Sequence, residues 1–198
     1  MPKISSYTTT APALTDKLIG TDANDNSATK NFTVGDVLSL GSSFTQDITS
    51  ANLVSQQPSS LNVLEQITFG AFGVVGTNTS LDSSGVLTFN TAGTYYIDYA
   101  VNKGLVINTN PSDMLQISFG VFKNGTQIMY SIKDSQYYPE NSGIDGEYMN
   151  MSFMFEALAS DVLTFKMNTN STSMGLVSRV QIELERIPSA NITVFRTS

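Results

Sequence analysis

Short runs in which apolar and polar residues alternate, each closed by Gly, Asn or Pro, are the feature that most limits how this chain folds. Residues 178–187 show it best: Val180, Ile182 and Leu184 face one way, and Arg179, Gln181, Glu183 and Glu185 the other. A period of two sets one face of a strand against a core and the other in water. Further strand candidates cover residues 64–75 (with Gly70, Gly73 and Gly76 as bulges or bends), 85–89, 94–101, 114–123, 126–133, 147–157 and 162–168. Turn signals separate them. Ala92-Gly93 is one, Asn124-Gly125 is the strongest short hairpin signal, and Ala159-Ser160-Asp161 is a third. Residues 134–147 and 168–175 read as polar loops. About eight strands at roughly 8–15-residue spacing, with no long helix, predict an all-β antiparallel sandwich or jelly roll.

Composition narrows the chemistry. Of 198 residues, 40% are hydrophobic and 14% charged, so the core is adequate and the surface is polar through Ser, Thr and Asn. Such surfaces suit extracellular or particle-borne β proteins. The net charge of −7 disfavours nucleic acid and anionic membranes. There is no His and no Cys. That excludes a Ser-His-Asp triad, a thiol nucleophile, an imidazole base, a disulfide and the usual zinc sites. No cofactor or metal is expected. The N-terminus lacks an apolar signal-peptide core, and no apolar run approaches the roughly 18 residues of a membrane span, so a soluble chain without membrane insertion is expected.

Residues 1–41 read as a separate segment. Residues 16–22 and 29–33 form a strand pair around the Asn/Asp-rich turn at 23–28, and Thr33 caps a short helix over 34–40. So small a piece buries too little to fold alone. The string Asp22-Ala-Asn24-Asp-Asn26 opens like a calcium loop but has Ser27 in place of Gly and Thr33 in place of Glu, which favours a plain polar turn. Asp134, Glu140, Asp145 and Glu147 crowd one loop without a spacing that fixes an acid pair. Met149, Met151, Phe153 and Phe155 share one strand face, which reads as core or subunit interface. The sequons at Asn78 and Asn170 are expected by chance in so Asn- and Thr-rich a chain.

The run from Leu81 through Gly85-Val-Leu-Thr-Phe89, Ala92-Gly93 and Thr94-Tyr-Tyr-Ile-Asp-Tyr99 resembles the signature of the jelly-roll superfamily of tumour necrosis factor and the complement globular heads. Phe122-Lys-Asn-Gly125 is similar to that family's hairpin, and Ala157-Leu-Ala-Ser-Asp161 to its late turn, with Ser160 where the family usually has Gly. The likeness covers residues 44–187. It implies a jelly-roll domain over 42–188, followed by a C-terminal tail at 189–198. It also implies a homotrimer formed through aromatic strands, with Tyr95, Tyr96, Tyr99, Phe119, Phe153 and Phe155 as interface residues.

A second resemblance lies upstream. Leu14-Thr-Asp-Lys-Leu-Ile-Gly-Thr-Asp22 and Thr29-Lys-Asn-Phe-Thr-Val-Gly-Asp-Val-Leu38 are similar to opening segments of tailed-phage fibre and head-surface proteins. This implies that residues 1–41 attach to other virion proteins of the capsid or tail, with Leu18, Ile19, Phe32, Val37 and Leu38 as attachment residues. The sandwich would then be displayed on the particle surface as a fibre, spike or decoration protein. Three classes of function follow. The first is this structural virion protein. The second is a binding module for a host-surface glycan or protein through loops 108–113, 135–146 and 169–175, with Tyr137, Tyr138 and Asp145 as contact residues. The third is a polysaccharide depolymerase working through carboxylates, for which no paired acids stand out.

Overall fold

The computed structural model describes residues 13, 15, 17–22, 28–33, 44–70, 76–106, 115–128, 133–137, 147–180 and 186–197. The chain divides into two compact units, Met1–Ser43 and Phe44–Ser198. In the first, β1 (Lys17–Asp22) and β2 (Ala28–Thr33) form an antiparallel hairpin. The register sets Leu18 opposite Phe32 and closes the hairpin at Asp22–Ala28. The helix expected at 34–40 lies outside the described residues.

The second unit is all-β among the described residues. Its strands are β3 (Phe44–Asn52), β4 (Glu65–Gln66), β5 (Thr79–Leu81), β6 (Val86–Phe89), β7 (Gly93–Leu105) and β8 (Leu115–Lys123). These are followed by β9 (Thr126–Gln127), β10 (Lys133–Tyr137), β11 (Glu147–Ala157) and β12 (Val162–Thr169). The last are β13 (Met174–Leu176), β14 (Arg179–Val180), β15 (Arg186–Ile187) and β16 (Ala190–Thr197). Two antiparallel sheets make a sandwich. One runs β10-β8-β12-β6-β5, with β9 also on β8 and β4 also on β12. The other runs β11-β7-β16-β3, with β13 also on β7. From β6 to β7, β7 to β8, and β11 to β12 the chain crosses from one sheet to the other.

Alternation builds the core. Along β12, Leu163, Phe165 and Met167 are buried while Thr164 and Lys166 reach outward. Along β7, Tyr95, Ile97 and Tyr99 point in, and Tyr96 and Asp98 point out. Ring pairs then knit the sheets together: Phe165 meets Tyr99 at 4.8 Å and Phe69 at 5.1 Å, and Phe89 meets Tyr95 at 4.7 Å and Phe155 at 5.1 Å. Each such pair contributes about 0.5–1.5 kcal/mol beyond the burial of its area. The hairpin between β8 and β9 turns on Asn124 and Gly125, both left-handed at φ 48° and 82°, as a two-residue turn of that hand requires. Gly85 is needed for a different reason: a Cβ there would sit 2.0 Å from the Ile67 carbonyl oxygen.

Three expectations are corrected. Residues 189–198 are not a tail: β16 lies between β7 and β3, with Ile192 and Val194 fully buried. Residues 178–187 are not one strand, because Arg179 pairs with Ile187 and Val180 with Arg186, antiparallel to each other. Both segments alternate, and alternation does not say which one occupies the slot beside β7. The polar loop expected from 134 begins as strand, since β10 pairs residue by residue with β8 from Lys133–Phe119 to Tyr137–Leu115.

Candidate functional site

The outer face of the β11-β7-β16-β3 sheet carries an apolar band. Register places Met154 of β11 and Phe195 of β16 on either side of Tyr96 of β7. Phe44 of β3, beyond Phe195, completes the row, its ring edge-on to Tyr96 at 6.2 Å, and the Phe195 ring also lies 6.2 Å from Tyr96. Phe44 is 57% exposed and Met154 49%. Phe44, Tyr96 and Phe195 line a shallow groove of about 290 Å³. Two residues along, the face is polar. Asp98 accepts hydrogen bonds from Asn150 Nδ2 and Ser152 Oγ, both at 2.8 Å, and Thr49 donates to Thr193 Oγ1 at 3.3 Å. The face is therefore divided into an apolar row and a hydrogen-bonded polar row.

This changes which aromatic residues can reach a partner. Tyr95, Tyr99, Phe119 and Phe155 lie in the core of this one chain, each with at most a few per cent of its surface exposed, so they are not interface residues. Tyr95 also donates to the Thr91 carbonyl at 2.6 Å, and burial raises its phenol pKa. Burial raises that of Tyr99 further. Phe153 is partly buried and packs on the core with Met149 and Met151. Of the six, Tyr96 alone stands on the outer face. Adjacent Tyr95 and Tyr96 are indistinguishable in the sequence, and only the pleat separates them. Phe195, Phe44 and Met154 were missed, although the string Asn191-Ile-Thr-Val-Phe195 carries the period of two that places Phe195 outward.

The remaining sites divide as follows. Leu18 and Phe32 are cross-strand neighbours, with Ile19 opposite Asn31, while Val37 and Leu38 lie outside the described residues. Tyr137 sits in β10 opposite Leu115, so it is a strand residue and not a loop residue. Tyr138 and Asp145 lie outside the described residues. The carboxylates of the 134–147 segment part ways: Asp134 is in β10 opposite Ser118, and Glu147 opens β11 and pairs with Lys103 Nζ at 2.7 Å. Among the described residues no group of three or more His, Cys, Asp or Glu is placed to hold a metal ion.

At one end of the sandwich Asp161 ties two turns together. Lys123 Nζ donates to its Oδ2 at 2.8 Å, the Leu158 amide to the same oxygen at 2.8 Å, and Asn124 Nδ2 to its Oδ1 at 2.8 Å. These donors, the Lys123 ammonium first, hold its carboxyl down at about 2. Asn124 Oδ1 in turn accepts the Val162 amide at 2.8 Å. Asp47 does comparable work from β3, accepting from the Asn78 amide and side chain and from the Thr79 hydroxyl. These are fastenings of the fold. The chain matches no model of a known protein family, and no curated protein matches it.

Proposed function

We propose that this chain is a structural protein of a bacteriophage particle, displayed on its surface and assembled as a homotrimer through the outer face of the β11-β7-β16-β3 sheet. The observation that carries the reading is the apolar row Met154, Tyr96, Phe195 and Phe44, which spans all four strands on the side away from the core. Isolated exposed apolar residues are ordinary, but a contiguous row across a sheet marks an interaction surface. Burying each such side chain contributes about 1.5–3 kcal/mol, and closed symmetry presents the row once per subunit. The repeated crossing between sheets supports a jelly-roll reading of the sandwich. The separate Met1–Ser43 unit, with its phage-like strings, suits attachment to the particle. Glycan or receptor binding has a narrower footing, because Tyr137 is in a strand.

Light scattering on the full chain, and on one beginning at Ser42, tests the assembly. Three copies are expected in both, and one copy when Tyr96→Glu and Phe195→Glu are combined in a chain whose circular dichroism is unchanged. A monomer at every concentration, or a trimer indifferent to those substitutions, overturns the interface. Antibody against the chain should decorate the outside of intact particles in negative stain; labelling of disrupted particles alone refutes surface display.

A further inference from the structure

Asn124-Gly125 is the one Asn-Gly pair in the sequence. In that pair the backbone nitrogen of Gly125 can attack the Asn124 side-chain carbonyl carbon. A carbon–nitrogen bond forms, the Asn124 amide nitrogen leaves as ammonia with the proton given up by Gly125, and the resulting cyclic imide opens by adding water. One water is consumed, one ammonia is released, and the residue becomes aspartate or isoaspartate. No oxidant or reductant takes part.

Two features of this turn act in opposite directions. Gly125 has no side chain, and beyond its chain neighbours nothing lies within 4 Å of where a Cβ would sit, so residue 125 itself puts no side chain in the way of the attack. The side chain it must reach is clamped at both ends: Nδ2 donates to Asp161 Oδ1 at 2.8 Å, and Oδ1 accepts from the Val162 amide at 2.8 Å. Ring closure requires the Asn124 carbonyl carbon to swing onto the next backbone nitrogen, which breaks both bonds. We propose that Asn124 is a latent deamidation site of this protein, held closed by Asp161 and the Val162 amide, and that its conversion unfastens the two turns joined there. The aspartate product sets a second carboxylate where Nδ2 had donated to Asp161, and the isoaspartate product instead runs the backbone through the former side chain, so Asp161 loses that donor in both. Two carboxylates at that spacing do not both stay ionised, and Lys123 is the cation beside Asp161. The proposal is independent of the assembly described above.

Peptide mapping of the full chain tests it, following conversion of the Asn124 peptide over days at mildly alkaline pH. Conversion in the folded chain is expected to be about a hundredfold slower than in the same chain in urea, because it proceeds only through an opened turn. In folded Asp161→Ala it should speed up about tenfold, since one charge-assisted bond is lost. Separately prepared Asn124→Asp should melt below the parent chain. Equal rates in folded and urea-unfolded chain overturn the proposal, as does a folded Asp161→Ala with the parent rate. The first comparison needs no variant, so it decides the matter even where Asp161→Ala does not fold.

Discussion

Ser160 sits at φ 72°, a left-handed backbone that a side chain disfavours, while its amide donates to the Phe89 carbonyl at 2.7 Å. Glycine relieves that strain, worth about 1–2 kcal/mol, and returns about 0.4–1 kcal/mol to the unfolded chain as entropy. Ser160→Gly should therefore stabilise by roughly 0.5–1 kcal/mol and raise the Tm by about 2 °C in calorimetry. Next to it, Asp161 has a carboxyl held at about 2, below the ordinary 3.8. A depressed folded pKa favours the folded state above the unfolded value, and that stability is lost as pH falls from about 4 to about 2. Urea midpoints measured across this window should fall more steeply for the parent than for Asp161→Asn. Lys103 is fully buried, and its partner Glu147 is 58% exposed; the two lie 2.7 Å apart without being aligned for a hydrogen bond. Glu147→Gln leaves a buried ammonium unpaired and should cost about 1–3 kcal/mol, whereas Lys103→Met should be neutral or stabilising. Equal losses from both would show that the ammonium has another partner.

At the scale of elements, the pleat of β7 decides what its tyrosines do. Tyr95 and Tyr99 belong to the core and Tyr96 to the surface, and the cross-strand partners follow: Phe155 stands opposite Tyr95, and Met154 opposite Tyr96. β16 matters most for integrity. It pairs with β7 on one side and β3 on the other, with a bulge between Val194 and Phe195 on the β3 side. A chain ending at Pro188 strips both neighbours of a partner and removes the buried Ser189, Ala190, Ile192 and Val194, so it should show no cooperative thermal transition. Ile192→Ala, a milder test, should cost about 2–5 kcal/mol by urea denaturation. A cooperative transition in the truncated chain would mean that β3 can close onto β7 directly.

For the whole molecule, the two faces of one sheet do different work. The inner face supplies half of a sandwich core, and the outer face is split between an aromatic row and a polar row. If the aromatic row is an assembly surface, stability is tied to concentration by mass action. The Tm of the parent chain should then rise with protein concentration, and that of the Tyr96→Glu and Phe195→Glu double variant should stay constant. A flat dependence for both would separate the stability of the sandwich from assembly.

Local physics made much of the sandwich legible from residues alone. Period-two strings, an Asn-Gly turn and an Ala-Gly turn set out β6 to β8, β11 and β12, because side-chain alternation and left-handed φ preferences act within a few residues. The hairpin of β1 and β2 was legible for the same reason, from apolar runs around an Asn/Asp-rich turn. Tertiary structure alone decided three other matters: which alternating C-terminal segment enters the sheet, which tyrosine of an adjacent pair is buried, and where Phe44, Met154 and Phe195 meet. Each depends on register between strands far apart in the chain. A slip of one residue exchanges the faces of a strand, so no local pattern contains the answer until the partner strand is in place.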